Sequence, residues 1–281
     1  MIELLDWIGV IVSESQEKYT WGHAPSVLRA HAARSVEDCF AYGLKYLSCG
    51  MTVLDLGCGP GTITTGIAKA ITPGRVIAVD LDPGVLEQAR DHARSEGVDN
   101  IDFRVMDAYG LDLPDDSIDL VHAHQVLHHM SDPVAVLREL ARVTRPGGKI
   151  AVRDSIDQSF TWYPESKGVE NWQRYFGETV RANGGDPDAG MYHLAWAHAA
   201  GLTEVMCTSS TWTYSGPSVQ WWADMWAERL TDSSMAAQIV AECLATEEDL
   251  LNTAQALKDW ATHPDAWLMV PCGEIVATVP Q

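Results

Sequence analysis

A chain of 281 residues with 46% hydrophobic side chains carries enough apolar material for one α/β domain with an elaborated cap, or for two domains at most. Its 39 acidic against 19 basic residues give a formal charge of −20, which weighs against a nucleic-acid partner because that affinity is built from Lys and Arg contacts to phosphates; a small molecule, neutral or cationic, suits such a field better. The cysteines (Cys39, Cys49, Cys58, Cys207, Cys243 and Cys272) form no C-x-x-C pair and no ligand-like spacing, so they read as reduced thiols of a cytoplasmic protein, and no metal site is expected.

The apolar stretch from Met1 to Ser13 carries Glu3 and Asp6 where a signal peptide would be basic, and it is too short to span a bilayer, so no membrane role is expected. Residues 2 to 17 can form a short amphipathic helix, followed by the irregular Tyr19-Thr20-Trp21-Gly22-His23. From Ser26, a suitable N-cap, apolar residues at Leu28, Ala32, Val36, Cys39, Phe40, Leu44 and Leu47 predict one long helix against a sheet.

The stretch Val53 to Gly61, VLDLGCGPG, reads as a strand, a tight turn and a helix start at Thr62. Its glycines permit positive φ and close approach of a ligand to the main chain, and the new helix offers N–H groups and a positive dipole end. The spacing is G-x-G-x-G, whereas dinucleotide enzymes use G-x-G-x-x-G. Asp55 would repel a pyrophosphate but can accept hydrogen bonds from an ammonium group.

Further strands follow at Val76–Val79, ending on Asp80; at Ile101–Met106, ending on Asp107-Ala108; at Ile118–Ala123, running into His124-Gln125-Val126-Leu127-His128-His129; and at Lys149–Arg153 after the Pro146-Gly147-Gly148 turn. Asp82-Pro83 and Asp132-Pro133 start intervening helices. Ligands of open parallel sheets bind outside the carboxyl ends of the strands, so Asp55, Asp80, Asp107 and His124 converge on one crevice.

DLGCGPG resembles the first motif of class I S-adenosylmethionine (SAM)-dependent methyltransferases. The ordered series VLDLGCGPG, VIAVD, VMDA, DLVHAHQVLHH and RPGGKIAV, over about residues 50 to 155, is similar to the small-molecule branch that includes ubiquinone and menaquinone biosynthesis methyltransferases. The resemblance implies a Rossmann-like α/β fold: a central, mostly parallel seven-stranded sheet, helices on both faces and a helical cap. It implies SAM as cofactor and S-adenosylhomocysteine as product. The amino-acid end would lie on Asp55, Gly57, Gly59, Gly61 and Thr62, the ribose on Asp80 beside Leu81, and the adenine amino group on Asp107 with Ala108. His124 would line the same site. Arg34 either reaches the SAM carboxylate or pairs with Glu37 or Asp38.

The segment YTWGHAPSVLRAHAARS, Tyr19 to Ser35, resembles the N-terminal region of fungal gliotoxin-type thiol methyltransferases and of bacterial methyltransferases acting on indole alkaloids and diketopiperazines. By that resemblance residues 1–48 form helices and a lid, with Tyr19 and His23 near the reacting methyl and Trp21 on the acceptor; an aromatic anchor is the alternative. The SAM-binding core then covers 49–155, a cap insertion 156–200, and a C-terminal sheet edge 201–281 with a helical insertion at 217–262.

Nine of the eleven tryptophans come after the fifth strand. Residues 164–183 and 188–200 read as cap helices, Val205 to Thr213 as an edge strand, and Glu274 to Val279 as its partner. Trp162, Tyr163, Tyr175 and Tyr192, together with Gln125, are the candidate acceptor contacts, a wall on which a flat aromatic would stack. His122 and His124 share a strand face but have no carboxylate at ligand spacing; His128 is a candidate base, against a packing role. The resulting expectation is a methyltransferase of specialised metabolism, monomeric or homodimeric, acting on a small aromatic acceptor with an indole carbon favoured. Alternatives are S-methylation of a thiol or dithiol, a SAM-binding catalyst that transfers no methyl, and a nicotinamide oxidoreductase, which would need the other glycine spacing.

Overall fold

Five strands build the parallel part of one sheet: β1 (Thr52–Leu56), β2 (Arg75–Asp80), β3 (Ile101–Val105), β4 (Ile118–His124) and β5 (Thr144–Ser155). The computed structural model of the protein describes residues 34–281. The helix expected over 2–17, the candidate site residues Tyr19, Trp21 and His23, and the first part of the helix expected from Ser26 lie outside them.

The remaining strands, β6 (Thr161–Tyr163), β7 (Thr203–Ser215) and β8 (Trp267–Thr278), complete a sheet of order β3-β2-β1-β4-β5-β8-β6, with β7 paired to the other edge of β8. β8 is antiparallel to β5, β6 and β7, so the sheet is mostly parallel with an antiparallel end. The three-residue β6 is added to the seven strands expected. The order reverses between β1 and β4, which places the crevice for a ligand at their carboxyl ends.

Side-chain alternation sends each strand's apolar residues to two cores. Leu54, Ile77, Val121 and Ile150 face α4 (Pro133–Val143) and α6 (His193–Ala199); Val53, Val76, Leu120 and Ala151 face α2 (Thr62–Ile71) and α3 (Pro83–Ser95). Helices thus cover both faces. A third core unites α5 (Lys167–Ala182), α7 (Pro217–Arg229), α8 (Ser234–Ala241) and α9 (Glu247–Ala261), the last opened by a reciprocal Thr246–Asp249 capping box.

The helix expected to run from Ser26 to Leu47 does not do so. Within the described residues it is reduced to α1 (Val36–Cys39), capped by Ser35, whose Oγ accepts from the Asp38 N–H at 3.1 Å, and a 3-10 turn at Leu44–Tyr46. Gly43 permits the turn: a Cβ there would lie 2.0 Å from the ring of Phe40, which is fully buried against His122 at 4.6 Å between ring centroids. Among the described residues no helix is long and apolar enough to cross a membrane.

Candidate active site

The loop after β1 takes positive φ at Gly57 (65°), Gly59 (54°) and Gly61 (81°). A Cβ on Gly57 would lie 2.6 Å from Val126 Cγ2, and one on Gly61 3.0 Å from Ala89 Cβ. Two of the three glycines are therefore needed for packing against the β4 loop and α3 as well as for the turn. Asp80, at the end of β2, ties this loop down: one carboxylate oxygen accepts the Gly59 N–H at 3.1 Å and the other the Asp82 N–H at 3.2 Å. Asp82 in turn caps α3 through the N–H groups of Gly84 and Val85.

Asp55 is 2% exposed, and both of its oxygens are engaged, one by Thr64 Oγ1 at 2.5 Å and one by His122 Nδ1 at 2.7 Å. The carboxylate partner that sequence spacing did not offer His122 is thus supplied by the neighbouring strand, where Asp55 and His122 sit in register. Asp107 accepts the Tyr109 N–H at 3.0 Å, which holds its carboxylate at the end of β3.

These strand ends open into one cavity of about 440 Å³. Asp55, Gly57, Gly59, Thr62, Asp80 and Leu81 line it, and so do Asp107, Ala108 and His124. Gly61 stands behind the wall against α3. Arg34 also lines the cavity, but its guanidinium lies over the Trp212 ring at 5.5 Å, and among the described residues it forms no ion pair with Glu37 or Asp38.

The structure redistributes the aromatic residues that were expected to contact an acceptor. Gln125 lines the cavity at a positive φ of 57°, its side-chain oxygen accepting from Ser155 Oγ at 3.3 Å. Trp162, Tyr163, Tyr175 and Tyr192 are not part of the wall. Tyr163 and Tyr192 face solvent at 54% and 40% exposure, Tyr175 is buried in the cap, and Trp162 packs half-buried on the cap core. The wall is instead made by Trp172, Phe176, Trp212, Tyr214, Trp222 and Trp226. Sequence spacing groups these residues without showing which group faces the cavity. Trp172 and Phe176 are four apart on α5, Trp212 and Tyr214 share one face of β7, and Trp222, Trp226 and Arg229 lie along one face of α7.

The histidines divide between the two faces of the sheet. His124 lies edge-on to Trp212 at 5.5 Å. His128 and His129, both lining the cavity, meet Nε2 to Nε2 at 2.7 Å. Behind them Asp154, fully buried, has one oxygen 2.9 Å from His193 Nε2 and the other 3.8 Å from His128 Nδ1. Burial, and then the neighbouring His129, holds His128 well below its ordinary pKa; burial and then the charge of Arg34 lower His129 to about 3. Burial alone would raise Asp154, but the His193 hydrogen bond first, with the electrostatics of that ring, outweighs it and keeps the carboxyl below its usual range. Sequence reading missed His129, Asp154 and His193 because their link crosses from β4 to β5 to α6. It also missed Arg153, 1% exposed, which donates through Nε to Ser210 and Glu274 and lies 4.3 Å from the centre of Trp212. Among the described residues no group of three or more His, Cys, Asp or Glu side chains is placed to hold a metal ion.

The sequence profile of the methyltransferase domain matches residues 47–214, more than half of the chain. An uncharacterized methyltransferase of Schizosaccharomyces pombe is 34% identical over 212 residues, covering 73% of this chain and 76% of that protein. The protein named "Probable methyltransferase ltbC" of Aspergillus luteorubrus is 32% identical over 269 residues, covering 89% and 93%. Among solved structures, the YcgJ protein of Bacillus subtilis shares the fold with a TM-score of 0.58 at 19% identity, covering 86% of this chain and 97% of that one. Glycine loop, carboxylate-ended strands, sheet order and these matches agree: the chain belongs to the methyltransferase-domain family and is a SAM-dependent methyltransferase of the class I fold.

Proposed function

We propose that this enzyme methylates a small aromatic molecule of specialised metabolism, with an indole or comparable electron-rich ring as acceptor. The observation that carries the reading is the continuity of one cavity from the carboxylates of β2 and β3 to a wall of indole and phenyl rings. A relative over part of the chain supports the metabolic setting: the 27-O-demethylrifamycin SV methyltransferase of Amycolatopsis mediterranei is 37% identical over 129 residues, which cover 46% of this chain and 45% of that protein.

The residues present fit SAM. The loop through Gly57 and Gly59 supplies main chain without side chains in the way, Asp80 and Asp107 offer carboxylates at successive strand ends for hydroxyl and amino donors, and Leu81, Met106 and Ala108 give an apolar slot beside them. Asp55 contributes negative charge from beneath the loop, its carboxylate held by Thr64 and His122. The bound cofactor supplies an electrophilic methyl on a sulfonium. What the protein must add is orientation and exclusion of water, because an in-line approach at about 3–3.5 Å accounts for most of the barrier reduction. The aromatic wall orients a flat acceptor, and Gln125, His128 and His129 line the same cavity.

The reading is tested by offering indole, phenol and thiol acceptors with isotopically labelled SAM and following product mass. Label on an aromatic acceptor supports it, label on thiols alone replaces it with S-methylation, and tight SAM binding without any labelled product points to a catalyst that transfers no methyl.

Asp80→Ala should weaken SAM binding by about 1.5–3 kcal/mol, the cost of losing hydrogen bonds to a charged group, or roughly tenfold to a hundredfold in Kd. The same change releases the Gly59 and Asp82 N–H groups, so a small loss of thermal stability should accompany it. Calorimetry giving the wild-type affinity would remove Asp80 from the cofactor site.

A further inference from the structure

The geometry points to Arg34 as the specificity-determining residue for the acceptor, recognising a carboxylate that the acceptor carries beside its aromatic ring. The inference rests on the methyl-transfer reading above and adds to it the substrate class, an aromatic acid.

The charged residues that line the cavity divide by sign. Asp55, Asp80, Asp82 and Asp107 stand at or just beyond the ends of β1, β2 and β3, where the cofactor belongs on the reading above. The elements of the aromatic wall, α5, β7 and α7, contribute no carboxylate to the cavity. What lies against that wall is positive: the guanidinium of Arg34 is 5.5 Å from the centre of Trp212, and that of Arg229 is 4.6 Å from the centre of Trp226. Arg229 is buried at 5% exposure, whereas Arg34 lines the cavity and is only partly buried, so Arg34 is the cation that a ligand can reach.

Trp212 lies against two guanidinium groups, and they differ in their partners. Arg153 is 1% exposed and donates to Glu274 at 3.2 Å, so its charge is balanced inside the fold. Arg34 meets no counter-charge among the described residues. Asp38, the remaining carboxylate on the cavity wall, accepts the Ser35 Oγ–H at 2.9 Å and does not pair with Arg34. The titratable groups that feel the charge of Arg34 are Cys39, His128, His129, Tyr214 and Cys272. Burial holds each of them neutral at neutral pH: it lowers both histidines, His129 to about 3, and pushes up the Cys39 thiol, the Tyr214 phenol to about 12 and the Cys272 thiol to about 12. A guanidinium stays charged throughout the working pH range, and a ring face offsets only part of the cost of withdrawing it from water. A carboxylate offsets that cost by pairing with its planar fork.

SAM brings a carboxylate of its own, but its amino-acid end belongs beside Gly57 and Gly59, over Asp55 on β1. Arg34 lies instead against β7, which joins the sheet beyond β4, β5 and β8 as counted from β1. An anion on Arg34 is therefore part of the molecule that fills the aromatic end of the cavity. The net charge of −20, which favours a neutral or cationic acceptor, does not decide against this, because exposed charges are largely screened beyond about 8 Å while Arg34 acts at contact distance.

The test titrates benzoate and indoleacetate, each beside its neutral amide, into the full chain saturated with S-adenosylhomocysteine, with calorimetry as the readout. At least one acid should bind the wild type about tenfold to a hundredfold tighter than its amide, the worth of a hydrogen-bonded charge pair. Arg34→Gln should erase that preference without changing the affinity for S-adenosylhomocysteine, and Arg34→Lys, which keeps the charge but not the fork, should retain part of it. A wild type that binds neither acid better than its amide overturns the inference, as does an Arg34→Gln protein that keeps the preference. Loss of S-adenosylhomocysteine affinity in Arg34→Gln also overturns it, since Arg34 would then hold the cofactor's carboxylate. The methyl-transfer reading fails separately: acids that bind through Arg34 but never acquire label from SAM leave the recognition in place and remove the transfer.

Discussion

Trp172→Ala is expected to lower the unfolding free energy by about 3–5 kcal/mol, the range for deleting a large aromatic side chain from a core that cannot collapse around the gap. Trp172 is 1% exposed and stands at the centre of the cap, with its ring 4.7 Å from Trp222, 4.9 Å from Trp226, and 5.9 Å from both Phe160 and Phe176. Those partners come from α5 itself, from α7 and from the segment leading into β6. One truncation therefore loosens three elements together, and the aromatic pairs add to the loss of buried area. Among the described residues the indole N–H of Trp172 has no hydrogen-bond partner. Trp172→Phe removes that unsatisfied donor along with some volume, so it should cost clearly less than the alanine change. Urea unfolding of the two variants beside the wild type measures the difference. A loss under 1 kcal/mol for Trp172→Ala would mean that the cap is not organised around this ring. Because Trp172 also lines the cavity, the phenylalanine variant should retain the fold while widening that cavity.

The same ring shows where sequence reading stops. The glycine loop, Asp80 and Asp107 were legible because each belongs to a short local pattern: an apolar run, an acid at its end, then a turn and a helix start. Selection of the acceptor wall was not, because Tyr175 and Phe176 are adjacent on α5 and only packing against α7 decides that Phe176 faces the cavity. The Asp55–His122 pair was illegible for a related reason: its partners are far apart in sequence, and parallel register alone brings them side by side. β8 was expected to begin at Glu274, yet it begins at Trp267. Pro271 lies inside it, and a proline ordinarily argues against a central strand. It is tolerated here opposite Thr211, with its carbonyl accepting the Ile156 N–H at 3.0 Å. The helix that failed to continue past Cys39 was also a tertiary matter, since periodicity could not show Phe40 folding over Gly43.

Asp157→Asn should make the protein more stable above neutral pH and leave it nearly unchanged near pH 4. Asp157 sits in the 3-10 turn Asp157–Ser159 between β5 and β6 at 6% exposure, and among the described residues its Oδ1 has no hydrogen-bond partner. Burial first, and then the charge of Asp188, push its carboxyl up to about 7, against the opposing pull of Arg181 and Gln173. The sign follows from linkage. Below the ordinary value of 3.8 both the folded and unfolded chains hold the proton and the group contributes nothing. As pH rises from about 4 to about 7 the unfolded chain ionises while the folded one does not, so stability falls through that window and stays reduced above it. A shift of this size corresponds to about 2–4 kcal/mol, and a neutral amide of the same shape escapes it. The wild type also carries an opposite slope at lower pH, because Asp154 and Glu139, whose carboxyls are held below their ordinary values, lose their stabilising contribution as the pH falls below those values. The difference between variant and wild type isolates it: urea midpoints measured at several pH values should diverge between about pH 4 and 7 and stay apart above that. A variant less stable by a constant amount at every pH would show instead that the Asp157 carboxylate is a net support for the turn. Arg181 and Gln173 both lie on α5, and Arg181 pairs with Asp188 at 3.2 Å.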